Sequence, residues 1–216
     1  MTETLTFYTN PMSRGRIVRW MLEEVGEPYE TVVLDYGTTM KAPEYLAVNP
    51  MGKVPAIRHG ETVVTEAAAI CAYLADMFPD KGLAPPSGNV RRGNYYRWMF
   101  FAAGPLEAAV TGKALGLLAP PDKAGMAGYG TFDDVMNTLE QAVRDCEYLT
   151  GNHFTAADVY VGAQIGWGLM FGTIDKRPAF EDYYGRLAAR PAAKRAAELD
   201  DALSEQVQNR PRPAQA

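Results

Sequence analysis

Cysteine is scarce in this chain. Its two copies, Cys71 and Cys146, sit inside helical patterns and offer no metal-ligand spacing. No metal site is expected, and a reducing, cytoplasmic setting is the simplest reading. A basic excess is also missing. The net charge is −5, which argues against a nucleic-acid partner. No apolar run approaches the roughly 18 residues needed to span a bilayer. The opening Met1-Thr2-Glu3-Thr4 lacks the basic n-region and apolar core of a signal peptide. No membrane role is expected, and no internal repeat is visible.

What remains is ordinary globular material with a sharp internal change of pattern. Across 216 residues, 47% are hydrophobic and 22% charged, enough to bury real cores. Leu5-Thr6-Phe7-Tyr8 reads as a strand, and Ile17, Val18, Met21, Leu22 and Val25 recur at helical spacing. Gly26 and Pro28 end that helix, and Thr31-Val32-Val33-Leu34 makes a second strand. Ala42 to Ala47 reads as a short helix. Two further strands, Val54 to Arg58 and Glu61 to Val64, meet across His59-Gly60, and a helix opens at Glu66. The order β-α-β-α-β-β-α predicts a small α/β sandwich.

Residues 81–88 then read as a Pro- and Gly-rich linker, and no strand pattern of any length follows it. Gly104-Pro105 should kink or end the aromatic helix that begins near Asn94. A loop is expected over 119–130. An apolar stripe follows from Phe132 to Cys146, and Thr155-Ala156-Ala157-Asp158 has the form of a capping box. Two shorter helices separate at Arg190-Pro191. The expected division is residues 1–80, a linker at 81–88, an all-helical domain over 89–204 and a disordered tail over 205–216.

The stretch Asn49-Pro50-Met51-Gly52-Lys53-Val54-Pro55-Ala56-Ile57 carries the most information. Pro55 cannot donate to a ladder, so it belongs at a strand start or in a turn. Val54-Pro55 is the best candidate for a cis bond. The helix opening at Glu66 aims its first N–H groups at whatever lies beside that proline. Backbone donors and acceptors next to one carboxylate suit a peptide-like ligand with an ammonium and carboxylates.

A small α/β half, a linker and a helical half, joined to Asn49–Ile57 and Glu66–Asp76, resemble the cytosolic glutathione transferases, with a serine in the first loop. Phe154 to Asp158 and Arg177-Pro178-Ala179-Phe180 through Arg190-Pro191 extend the likeness over residues 4 to 200. The resemblance implies a thioredoxin-like N-terminal domain followed by an all-α C-terminal domain. It implies glutathione as co-substrate, an apolar electrophile as second substrate, and a homodimer.

On that resemblance the glutathione thiol needs a donor at the start of the first helix. Ser13 is the first candidate for that donor, with a plain helix cap as its other reading. Tyr8 stands where tyrosine-type transferases carry their hydroxyl, and Asn10 or Thr9 are further rivals. The loop has no cysteine, unlike the beta-type and omega-type transferases that carry one there. Val54 would offer its backbone to the cysteinyl residue beside Pro55. Glu66 would pair with the γ-glutamyl ammonium and the Ala67 N–H with its carboxylate. Ala67 departs from the serine or threonine usual there. Lys41 and Lys53 are candidates for the glycyl carboxylate. Met12, Tyr36, Trp98, Phe101, Trp167 and Phe171 are candidate walls of an acceptor pocket between the halves, or ordinary core. A glutathione-dependent reductase or peroxidase, and a non-catalytic binding or interaction protein, remain alternatives on the same scaffold.

Overall fold

The computed structural model describes residues 3–209. Strands β1 (Leu5–Thr9), β2 (Glu30–Val33), β3 (Ala56–His59) and β4 (Thr62–Thr65) form one sheet in the order β2-β1-β3-β4. β1 and β2 run parallel, with α1 (Gly15–Val25) as their crossover, while β3 is antiparallel to both β1 and β4. This is the expected thioredoxin-like arrangement. Leu5, Phe7 and Thr9 alternate to the buried side of β1. Tyr8 points the other way and packs with Val48 and Val54 against buried Leu34, Met40, Tyr45 and Ala56. Tyr45 belongs to the short helix α2 (Pro43–Leu46). α1 buries the periodic set Ile17, Val18, Met21, Leu22 and Val25, and Gly26 closes it at φ 71° with its N–H on the Leu22 carbonyl.

Helix α3 (Ala67–Met77) follows β4, with Glu66 at its threshold. Two compact units emerge: one holds the chain up to Ile70 together with the segment from Pro191, and the other runs Cys71–Arg190. These boundaries differ from divisions at 81–88 and 205. The second unit contains α4 (Arg91–Phe101), α5 (Glu107–Leu115), α6 (Phe132–Arg144), α7 (Ala156–Phe171) and α8 (Pro178–Ala188). Gly104-Pro105 does not end the helix outright. The backbone widens into a π-helical segment over Ala102–Leu106, with Pro105 inside it, and continues into α5. Wider i→i+5 spacing accommodates a residue that has no N–H to donate. A 3₁₀ turn at Pro121–Met126 lies in the expected loop.

α7 is buried at almost every position to Gly166, which explains why it is apolar all round. A Cβ at Gly166 would come 2.3 Å from the Tyr184 ring, so α7 and α8 approach too closely there for any side chain. Asp158 caps α7. Its carboxylate accepts from the Thr155 N–H at 2.8 Å, the Leu149 N–H at 2.8 Å and the Tyr183 hydroxyl at 2.7 Å. Burial pushes the Asp158 carboxyl upward, against the pull of these bonds. Its place is structural. Among the described residues no helix is long and apolar enough to cross a membrane.

α9 (Pro191–Gln208) is 18 residues long and belongs with the first unit. The helix after Arg190-Pro191 is therefore not a short one, and it runs into the region expected to be tail; residues 210–216 lie outside the described residues. An alanine-rich sequence with proline at its first position sustains the helix. Arg195 pairs with Glu23 at 2.7 Å and Arg19 with Asp200 at 3.2 Å, fastening α9 to α1.

Candidate active site

Sheet register gathers the candidate residues at one edge. Tyr8 pairs with Ala56, and Ala56 pairs with Thr65. The end of β1, the entry to β3 and the start of α3 therefore lie side by side. Val54–Pro55 is cis. Among the described residues the Val54 N–H and C=O have no hydrogen-bond partner. Beside them, exposed Glu66 sits in the left-handed region at φ 68°, the sole non-glycine residue described there. A non-glycine residue held so carries about 1–3 kcal/mol of strain. α3 begins one residue later, so the Ala67 N–H has no intrahelical acceptor.

The segment leading to Val54 is braced from within. The Tyr45 hydroxyl and the Asn49 amide both donate to the Lys53 carbonyl, at 2.6 and 2.8 Å. Asn49 also accepts from the Met51 N–H at 3.1 Å. Burial raises the Tyr45 hydroxyl to about 12, so it stays a neutral donor. Gly52 is required: a Cβ there would lie 2.8 Å from the Met40 carbonyl, and its φ is 55°. Lys41 reaches the Met51 carbonyl at 2.9 Å, and Lys53 is exposed.

Between β1 and α1 the loop folds onto itself. Ser13 Oγ donates to the Asn10 carbonyl at 2.6 Å and accepts the Gly15 N–H at 2.9 Å. The residue in the cap position is Arg14, not Ser13. Asn10 is buried, donates to the Leu34 carbonyl at 2.7 Å and accepts from the Met12 N–H at 2.9 Å. One of its two amide protons is thereby engaged. Thr9 Oγ1 is buried without a partner. Tyr8 packs on Tyr45, with ring centroids 5.6 Å apart.

Met12 and Tyr36 are exposed, and the Tyr36 hydroxyl lies 3.4 Å from the Met12 carbonyl. In the second unit Trp98 meets Phe101 edge-on at 5.4 Å, and Trp167 meets Phe171 at 5.6 Å. Trp98 is buried there, whereas Phe171 is 64% exposed. Trp98 thus serves its own helical core.

Residues 12–77 match the family model described as "Glutathione S-transferase, N-terminal domain". Over 189 residues the chain is 28% identical to glutathione S-transferase GstA of Escherichia coli O157:H7, covering 85% of this chain and 89% of the relative. A solved glutathione transferase from Methylococcus capsulatus superposes with a TM-score of 0.77 at 29% identity, covering 92% of this chain and all of that one. A sphingomonad glutathione S-transferase complexed with glutathione gives 0.74 at 29% identity, covering 91% and 98%. Over most of its length the chain is similar to glutathione S-transferases.

Three supports of this site went unremarked in the sequence. Asn49-Pro50 is a turn signal that could have revealed the Asn49 brace. Tyr45 and Arg16 had no such signal, because their carbonyl partners at Lys53 and Pro11 become neighbours only through the fold.

Proposed function

We propose that the protein is a glutathione transferase that holds glutathione as its thiolate for attack on an apolar electrophile. The observation that carries this reading is the unpartnered N–H and C=O of Val54, which strand register sets alongside the segment leading through Glu66 into α3. A peptide backbone adds to such an edge as an extra strand. Glu66 then takes the γ-glutamyl ammonium, the Ala67 N–H the adjoining carboxylate, and Lys41 and Lys53 the glycyl carboxylate. The sphingomonad relative's complex with glutathione supports the same ligand here. A homodimer in the cytoplasm completes the reading, on the family's pattern.

Thiolate stabilisation falls to Ser13 in this reading. A free thiol has a pKa near 8.5 and is only a few per cent ionised at neutral pH. Turning the Ser13 proton from the Asn10 carbonyl to sulfur gives up a neutral hydrogen bond worth about 0.5–1.5 kcal/mol. It gains one to a charged group worth about 1.5–3 kcal/mol. The exchange favours the thiolate. Asn10, with a second amide proton, is the rival donor. Exposed Met12 and Tyr36, beside the first loop, supply apolar surface for the co-substrate, which loses little on desolvation.

With a chlorinated nitroaromatic, sulfur bonds to the ring carbon, the carbon–chlorine bond breaks and chloride leaves with the electron pair. The thiol proton passes to water. Retention on immobilised glutathione, followed by turnover of that substrate, tests the proposal. Absence of both overturns it.

A further inference from the structure

Arg16 joins the first loop to the last helix. Its Nε donates to the Pro11 carbonyl at 2.6 Å, while its Nη2 donates to Asp201 Oδ1 at 2.7 Å and to Ser204 Oγ at 3.2 Å. Asp201 and Ser204 lie on α9, more than 180 residues downstream of Arg16. Ser204 is buried and donates in turn to the Asp200 carbonyl at 2.9 Å. Its oxygen also lies 4.0 Å from Met12 Sδ. A guanidinium is a rigid planar fork, so fixing one edge of it fixes the other. The carbonyl it holds belongs to the residue two before Ser13, within the turn closed by the Ser13–Asn10 bond.

We propose that Asp201 and Ser204 are positioning residues for thiol activation, acting through Arg16 on the Pro11 carbonyl. The last helix thereby sets the register of the loop that faces glutathione sulfur. This inference rests on the transferase reading above. Loss of either anchor frees the fork, lets the Pro11 carbonyl drift and misaligns the donor with sulfur. Ångström-scale misplacement of a catalytic group lowers rate strongly even when its cause lies away from the reacting atoms.

The sign of one measurement separates positioning from plain electrostatics. Asp201→Asn deletes a negative charge. Acting through space, that change would stabilise a nearby thiolate and lower the thiol pKa. Acting through position, it raises that pKa. The experiment follows the ultraviolet absorbance of the thiolate against pH in the glutathione complexes of wild type, Asp201→Asn and Ser204→Ala. Both variants should raise the bound-thiol pKa by about half a unit, roughly a threefold smaller thiolate fraction. kcat at neutral pH should fall in proportion while glutathione Kd stays within about twofold. The Asp201 side chain is 67% exposed, so this variant folds. A thiol pKa that falls or stays put in both variants overturns the proposal, whatever happens to the thermal midpoint. Wild type that binds no glutathione, or leaves its thiol un-ionised, overturns the transferase reading instead, and that result comes from wild type alone.

Discussion

The Ser13 hydroxyl oxygen lies 2.6 Å from the Asn10 carbonyl and accepts the Gly15 N–H from the other side. One hydroxyl therefore closes the loop and starts α1. Its oxygen is fixed by the Gly15 bond, but its proton can swing about a single torsion. The structural role of Ser13 and its proposed chemical role then differ only in where that proton points.

Ser13→Ala is expected to lower turnover of a chlorinated nitroaromatic by about a hundredfold, the scale of losing one donor to a developing anion. Glutathione affinity should change little, because the proposed peptide contacts lie at Val54 and Glu66. Steady-state kinetics with both substrates varied will show whether the loss falls on kcat. If Ser13→Ala turns over normally and Asn10→Asp does not, the donor is the Asn10 amide.

Ala67 has no hydroxyl to add to its N–H. Ala67→Ser should tighten glutathione binding by about 1.5–3 kcal/mol, roughly ten- to a hundredfold in Kd. Calorimetric titration checks it. An unchanged Kd would mean that the γ-glutamyl carboxylate does not sit at the start of α3.

Glu66 is held at φ 68°. Glu66→Gly removes about 1–3 kcal/mol of backbone strain and loses about 0.5–1 kcal/mol to the freer unfolded chain. Net stability should rise while retention on immobilised glutathione is lost. Urea unfolding and affinity retention together decide it. A variant that is both less stable and still retained would remove Glu66 from the site.

Patterns along the chain reveal local elements well. The helical spacing of Ile17 to Val25, the Thr155-x-x-Asp158 cap and the cis bond at Val54–Pro55 all appear as read. Each depends on residues near one another in sequence. The misreadings depend on distance. α9 looked like the end of a helical domain because nothing in Pro191–Gln208 announces that Asp200 faces Arg19. Ser13 was legible as a loop serine, yet the acceptor of its proton was not. A hydrogen bond to a backbone carbonyl leaves no residue-type signature. Gly104-Pro105 showed that the helix must be disturbed but not that it would widen and continue.

Asp200 and Arg19 make the remaining prediction. Their side chains are 1% and 3% exposed, and they meet through one 3.2 Å contact. Asp200 Oδ2 and Arg19 Nη2 are left without partners. Burial raises the Asp200 carboxyl, and the pull of Arg19 and Arg16 does not reverse it. Its folded pKa therefore exceeds the unfolded value of about 3.9. The folded state binds this proton more tightly. Asp200 then contributes most to stability below the unfolded value, and the contribution is lost as pH rises through the folded one. Asp200→Asn cannot titrate. Unfolding free energy of wild type minus that of Asp200→Asn should accordingly be highest in acid and decline above about pH 4. Urea unfolding at a series of pH values measures that difference. A difference that grew with pH would show that the arginines overcome burial and hold Asp200 as a well-stabilised carboxylate.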